Sequence, residues 1–93
     1  LDVENLAEEV ESIGASQRRE LRSLLEQIYI YLLKMEFHPA HAAWLHWQSE
    51  VETFRGQVEA SLSDSPSLRP RLPELAATAW PQAVRYVRRR VAA

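Results

Sequence analysis

The chain contains no cysteine, which excludes disulfides, thiolate zinc sites and thiol nucleophiles together. It contains only 2 glycines, at positions 14 and 56, so no glycine-rich phosphate loop can be built from it. Serines are present, but none stands in a Gly-x-Ser-x-Gly elbow. No stretch alternates apolar and polar residues with period two, and strands are not expected. No apolar run approaches the roughly 20 residues that span a bilayer. The N-terminus, LDVENLAEEV, is acidic where a secretory signal is basic. These absences lead us to expect a cytoplasmic protein with no membrane association. The net charge of −2 gives no reason of its own to expect nucleic acid or an anionic surface as partner.

What is present reads as helix. With 93 residues, 46% hydrophobic and 26% charged, the chain has the composition of one soluble globular domain, taken as residues 1–93. It begins with Leu rather than Met, and we expect it to be part of a slightly longer protein. Helical periodicity predicts a first helix from about Val3 to Ser12, capped by Asp2 and ended at Gly14. Its apolar stripe is Val3, Leu6, Val10 and Ile13. Ser16 is placed to cap a second helix reaching about Phe37. That helix carries a main stripe of Leu21, Leu24, Leu25, Ile28, Leu32 and Met35. Tyr29, Ile30, Leu33 and Phe37 add a second apolar face.

A helix apolar on two sides must be covered on two sides. It is therefore either the central helix of the bundle or half of a subunit interface. Pro39 ends it, because the residue before proline is driven out of the α region. A third helix is expected from about Pro39 to Leu62, with a packing seam of Trp44, Trp47, Val51, Phe54, Val58 and Leu62. SDSPS at 63–67 signals a turn, followed by a helical turn near Leu68 to Leu72. A fourth helix should start near Pro73 and be kinked or restarted at Pro81. The expected fold is all-α: a bundle of four main helices with a kinked or split last helix, the second helix the most buried.

Four segments in order, EEVESIG at 8–14, SQRRELRSLL at 16–25, LLKMEFHP at 32–39 and DSPSLRPRLPEL at 64–75, resemble a bacterial family. It is catalogued as "domain of unknown function" number twenty-nine and occurs in cyanobacteria and proteobacteria. The resemblance spans most of the chain. It implies an all-helical fold and no established activity. Two departures stand out: Tyr31 where the family often has His, and AHAAWLHW after the proline where it tends to a polar, Arg-rich stretch. A histidine-based activity shared by the family is not carried by those positions here.

All three histidines lie in FHPAHAAWLHW, residues 37–47. His41 and His46 are about 140° apart on a helix of 3.6 residues per turn, too far round to share one metal ion. His38 precedes Pro39 and is expected outside the helix. No metal site and no cofactor is expected. Trp44 and Trp47 fall in the packing seam and read as core rather than as a base-stacking platform, which would need basic residues interleaved with them.

The charges are unevenly spread. Residues 1–26 hold seven acids and three bases, and residues 69–93 hold six arginines and one acid. Glu4, Glu8 and Glu11 face away from the apolar stripe, whereas Glu9 sits at its margin. A half-buried carboxylate needs a partner, and Arg18, Arg19, Arg22 and Lys34 are the candidates for an ion pair clamping the first helix to the second.

Several functions stay open, and the sequence does not decide whether the protein is an enzyme. The first is a non-enzymatic protein-interaction or oligomerisation module, working through Tyr29, Ile30, Leu33 and Phe37 on a second copy or a helical protein partner. The second is a hydrolase or nuclease-like enzyme using Glu9 with Asp2 and either Arg19 or Lys34. The weakest is nucleic-acid binding through Arg85, Arg88, Arg89 and Arg90, which the net negative charge disfavours.

Overall fold

The computed structural model describes residues 3–38 and 41–92, with side chains placed for 14–38 and 42–90. Among them it holds three α-helices and no strand: α1 (Val3–Phe37), α2 (Trp44–Asp64) and α3 (Leu72–Ala92). Two short 3₁₀ segments, His41–Ala43 and Pro66–Arg71, join them. The expected bundle of four helices is therefore corrected to three.

The correction lies at Gly14. The first two expected helices form one 35-residue helix, and no glycine has a positive φ. Glycine inside a helix costs about 1 kcal/mol relative to alanine. Ending a helix there leaves several orphan carbonyls, and starting another at Ser16 leaves several orphan N–H groups. Continuity is the cheaper outcome when Glu, Ser, Arg and Leu flank the glycine on both sides. The end of α1 falls where Pro39 places it. The His38 N–H closes the last turn on the Lys34 carbonyl at 2.9 Å, and Lys34 sets a positive charge at the negative end of the helix dipole.

The second joint is set by Pro66. Ser65, just before it, takes φ −135° and ψ 76°, and its N–H still bonds the Ser61 carbonyl at 2.9 Å. The 3₁₀ segment then turns the chain and drives Leu68 into the core, 5% exposed. Pro73 follows in the first turn of α3, where a missing N–H costs nothing. Of the kink or split expected at Pro81, the split does not occur: α3 runs through Pro81 as one element.

α1 packs along both α2 and α3. Of the second apolar face predicted for residues 29–37, Ile30 is buried and Tyr29 is engaged within the chain, whereas Phe37 is left exposed. Tyr31 of α1 stacks on Phe54 of α2 at 6.0 Å, while Tyr29 meets Trp80 of α3 edge-on at 5.2 Å. Leu21, Val58, Leu62, Leu68 and Leu75 form the buried cluster at one end, with Leu24, Leu25 and Ile28 against it. Further along, Ala79 and Ala83 are fully buried, and their small side chains let α3 approach α1 closely. The seam of α2 holds for Val51, Val58 and Leu62, which are buried, but Trp44 is 39% exposed. Trp44 opens α2, at the edge of the layer.

The molecule measures 60 × 26 × 18 Å. α1 is about 52 Å long, whereas α2 and α3, 21 residues each, are about 31 Å. α1 is thus about 20 Å longer than α2 or α3, and among the described residues its wall of the groove at the start of α3 begins at Ala15, so its N-terminal end runs on past the turn between α2 and α3.

Candidate functional site

Two concave regions flank α1, one near each end of the packed layer. The first, about 550 Å³, lies beside the start of α3. Its α1 wall carries Ala15, Arg18, Arg19 and Arg22, and its far wall carries Arg71, Glu74 and Thr78. Arg71 bonds Glu74 at 3.5 Å in an exposed i, i+3 pair. Among the described residues, no acid lies within ion-pair distance of Arg18, Arg19 or Arg22. Among the described residues the groove therefore holds four guanidinium groups against one carboxylate.

The second region, about 470 Å³, lies at the C-terminal end of α1. Leu33, Phe37, Trp47, Tyr86 and Val87 line it, with Lys34 and Arg90 among them. Phe37 is 70% exposed, and Leu45 nearby in sequence is 74% exposed. The Arg90 guanidinium lies 5.1 Å from the centre of the Tyr86 ring, and the Lys34 ammonium 4.9 Å from that of Tyr31. Both are cation–π distances. The His38 ring packs edge-on to Trp47 at 5.4 Å. The mouth of this groove is thus aromatic, with two cations held on rings.

The sequence-predicted residues distribute unevenly over these features. Of Tyr29, Ile30, Leu33 and Phe37, only Leu33 and Phe37 reach the second groove. Ile30 is 3% exposed, and Tyr29 is engaged by Trp80. Asp2 and the side chain of Glu9 lie outside the described residues. The backbone of α1 nevertheless sets their spacing to the proposed partners. Glu9 and Arg19 are about 15 Å apart along the axis, and Glu9 and Lys34 about 37 Å. The expected clamp between a first and a second helix required a turn at Gly14. α1 makes no such turn, and what the Glu9 side chain meets lies outside the described residues.

Arg85, Arg88, Arg89 and Arg90 are all exposed on the last turns of α3. Arg89 and Arg90 lie in the final turn, where cations oppose the helix dipole. His46 is exposed, and the His41 side chain lies outside the described residues. Among the described residues, no three His, Asp or Glu side chains gather into a group that could hold a metal ion. No described helix is long and apolar enough to cross a membrane.

Sequence reasoning passed over Arg71, Trp47, Tyr86 and Val87 as site residues. Trp47 reaches its groove because α2 folds back along α1, and Arg71, Tyr86 and Val87 because the turn at 66–71 brings α3 back along α1.

These features define an all-helical domain whose two concavities differ in chemistry, one cationic and one aromatic. The profile of the family described as "Domain of unknown function DUF29" matches residues 1–93, and the chain belongs to that family. No curated protein and no solved structure matches the chain.

Proposed function

We propose that the domain is a non-enzymatic protein-interaction module whose docking site is the aromatic groove at the C-terminal end of α1. The observation that carries this reading is Phe37: a large apolar side chain, 70% exposed, at a groove that is itself mostly apolar. Aromatic side chains framed by polar residues are typical anchors at protein interfaces. Lys34 and Arg90 select among partners. They favour an apolar segment, such as one turn of an amphipathic helix, flanked by acidic residues.

The test uses 8-anilinonaphthalene-1-sulfonate, an aromatic body with one anionic group, and a short amphipathic peptide with leucines flanked by glutamates. Both should bind, and each should displace the other. Phe37→Asp should abolish binding of both while leaving the helical circular dichroism unchanged. Binding that survives Phe37→Asp, or no binding of either probe, overturns the reading.

A further inference from the structure

The charges at the other end of α1 form one stripe. Glu4, Glu8, Glu11, Ala15, Arg18 and Arg22 are spaced 4, 3, 4, 3 and 4 residues apart, so their positions share one helical face. The stripe is acidic on one side of Ala15 and basic on the other. Neighbours along it carry like charge. Glu4 with Glu8, Glu8 with Glu11, Arg18 with Arg22 and Arg19 with Arg22 all stand three or four residues apart on one helix. Each such pair works against the helix that carries it. Arg22 and Glu26 are spaced to pair, yet no ion pair joins them among the described residues. Within one chain the stripe is unfavourable.

Against a second copy running the other way, the repulsions among Glu8, Glu11, Arg18, Arg19 and Arg22 are answered, although Glu4 falls opposite Glu26 of the other copy. If the two helices cross at Ala15, Glu11 of one copy stands opposite Arg18 and Arg19 of the other, and Glu8 stands opposite Arg22. The arrangement is isologous, so each contact occurs twice. Shape allows it as well. The acidic end of α1 runs on past the turn between α2 and α3, while the basic part borders the groove that Arg71 completes. Two copies placed head to head overlap over these ends and keep their three-helix layers apart. Gly14 and Ala15 at the crossing are the smallest pair of neighbours on α1, which lets the two backbones approach.

We infer that the domain forms an antiparallel dimer in which the acidic N-terminal end of α1 of each copy occupies the basic groove of the other. This interface is distinct from the aromatic groove: Arg22 and Phe37 are about 22 Å apart along α1.

Sedimentation equilibrium tests it. The wild-type chain should sediment at twice its 10.7 kDa mass, and should dissociate as salt rises from about 0.05 M to about 0.5 M, because screening weakens exposed charge pairs. Two variants sharpen the test. Glu8→Arg with Glu11→Arg makes the stripe basic from position 8 to position 22, and Arg18→Glu with Arg22→Glu makes it acidic throughout. Each variant alone should be monomeric, and an equimolar mixture should form a mixed dimer. Ala15→Cys, in a chain with no other cysteine, gives a measurement independent of those charges: mild oxidation should link two copies.

A wild-type monomer at low salt and high concentration overturns the proposal. So does either charge variant dimerising alone as the wild type does, a helical mixture that stays monomeric, or an Ala15→Cys chain that resists linking. A monomeric chain retained on a duplex DNA column through Arg18 and Arg22 would assign the basic groove to nucleic acid instead.

Discussion

Tyr29 of α1 meets Trp80 of α3 edge to face, with ring centroids 5.2 Å apart and planes at 84°. This is the favoured geometry for two aromatic quadrupoles. It also fastens α3 to one side of α1, while Tyr31 on Phe54 fastens α2 to another. Two neighbouring tyrosines thereby hold the three helices in a layer with α1 in the middle.

Trp80→Ala should therefore destabilise the fold although Trp80 is 46% exposed. The ring pair and the buried half of the indole together contribute about 1–2 kcal/mol. For a domain of this size that corresponds to a fall of roughly 5–10 °C in melting temperature. Thermal unfolding followed by circular dichroism measures it. An unchanged midpoint would mean that the pair is incidental to the packing.

Gly14→Ala carries the opposite sign. A methyl group at Gly14 would sit 3.5 Å from Arg18 Nη1, an ordinary contact with a flexible side chain. Alanine in a helix interior is favoured over glycine by about 0.5–1 kcal/mol. Gly14→Ala should thus raise the urea midpoint, and so should Gly56→Ala, whose methyl group meets nothing within 4 Å. Had Gly14 ended a helix in the left-handed conformation, alanine would cost stability there. The sign of the change distinguishes one long helix from two.

That ambiguity shows where the sequence was legible and where it was not. Pro39 and SDSPS marked where α1 and α2 end, because proline acts on its neighbours through local sterics, but α2 begins at Trp44 after a 3₁₀ segment rather than near Pro39. The two apolar faces of residues 29–37 required cover on two sides, and α2 and α3 supply it except at Phe37 and Leu32, which stay exposed. Gly14 was not decidable locally: a helix end and a costly interior position look alike in sequence, and the balance depends on the orphan groups of two helix ends. The seam of α2 followed from periodicity, but Trp44 did not stay inside, since periodicity gives a face and not where the covering helix stops. The grooves were the least legible feature. Arg71 and Tyr86 join α1 only through tertiary packing, which no spacing rule encodes.

The close contact of α1 with α3 rests on Ala79 and Ala83, both with no exposed surface. Ala83→Leu adds three carbons where no room exists, and should cost about 1–3 kcal/mol through backbone shift and strained rotamers. Leu21→Ala, at the fully buried centre of the other end, should cost about 2–5 kcal/mol by leaving a cavity. Chemical denaturation of both variants checks this. A tolerated Ala83→Leu would show that α3 lies further from α1 than described.

Pro81 is exposed and lies in the middle of α3. It has no N–H to give to the carbonyl four residues before it, Ala77, and its ring crowds that turn. The helix persists because Leu75, Ala79 and Ala83 are buried on both sides of the defect. Packing on α1 therefore outweighs a local propensity that favours breaking. Pro81→Ala restores the donor and removes the ring, at the cost of a more flexible unfolded chain, which offsets about 0.4–1 kcal/mol. The net expectation is a gain of about 1–2 kcal/mol, seen as a higher urea midpoint with an unchanged slope. The same substitution should slow amide exchange around residues 77–81, where the missing hydrogen bond is replaced. A loss of stability would mean that α3 needs the bend proline imposes to keep Trp80 on Tyr29.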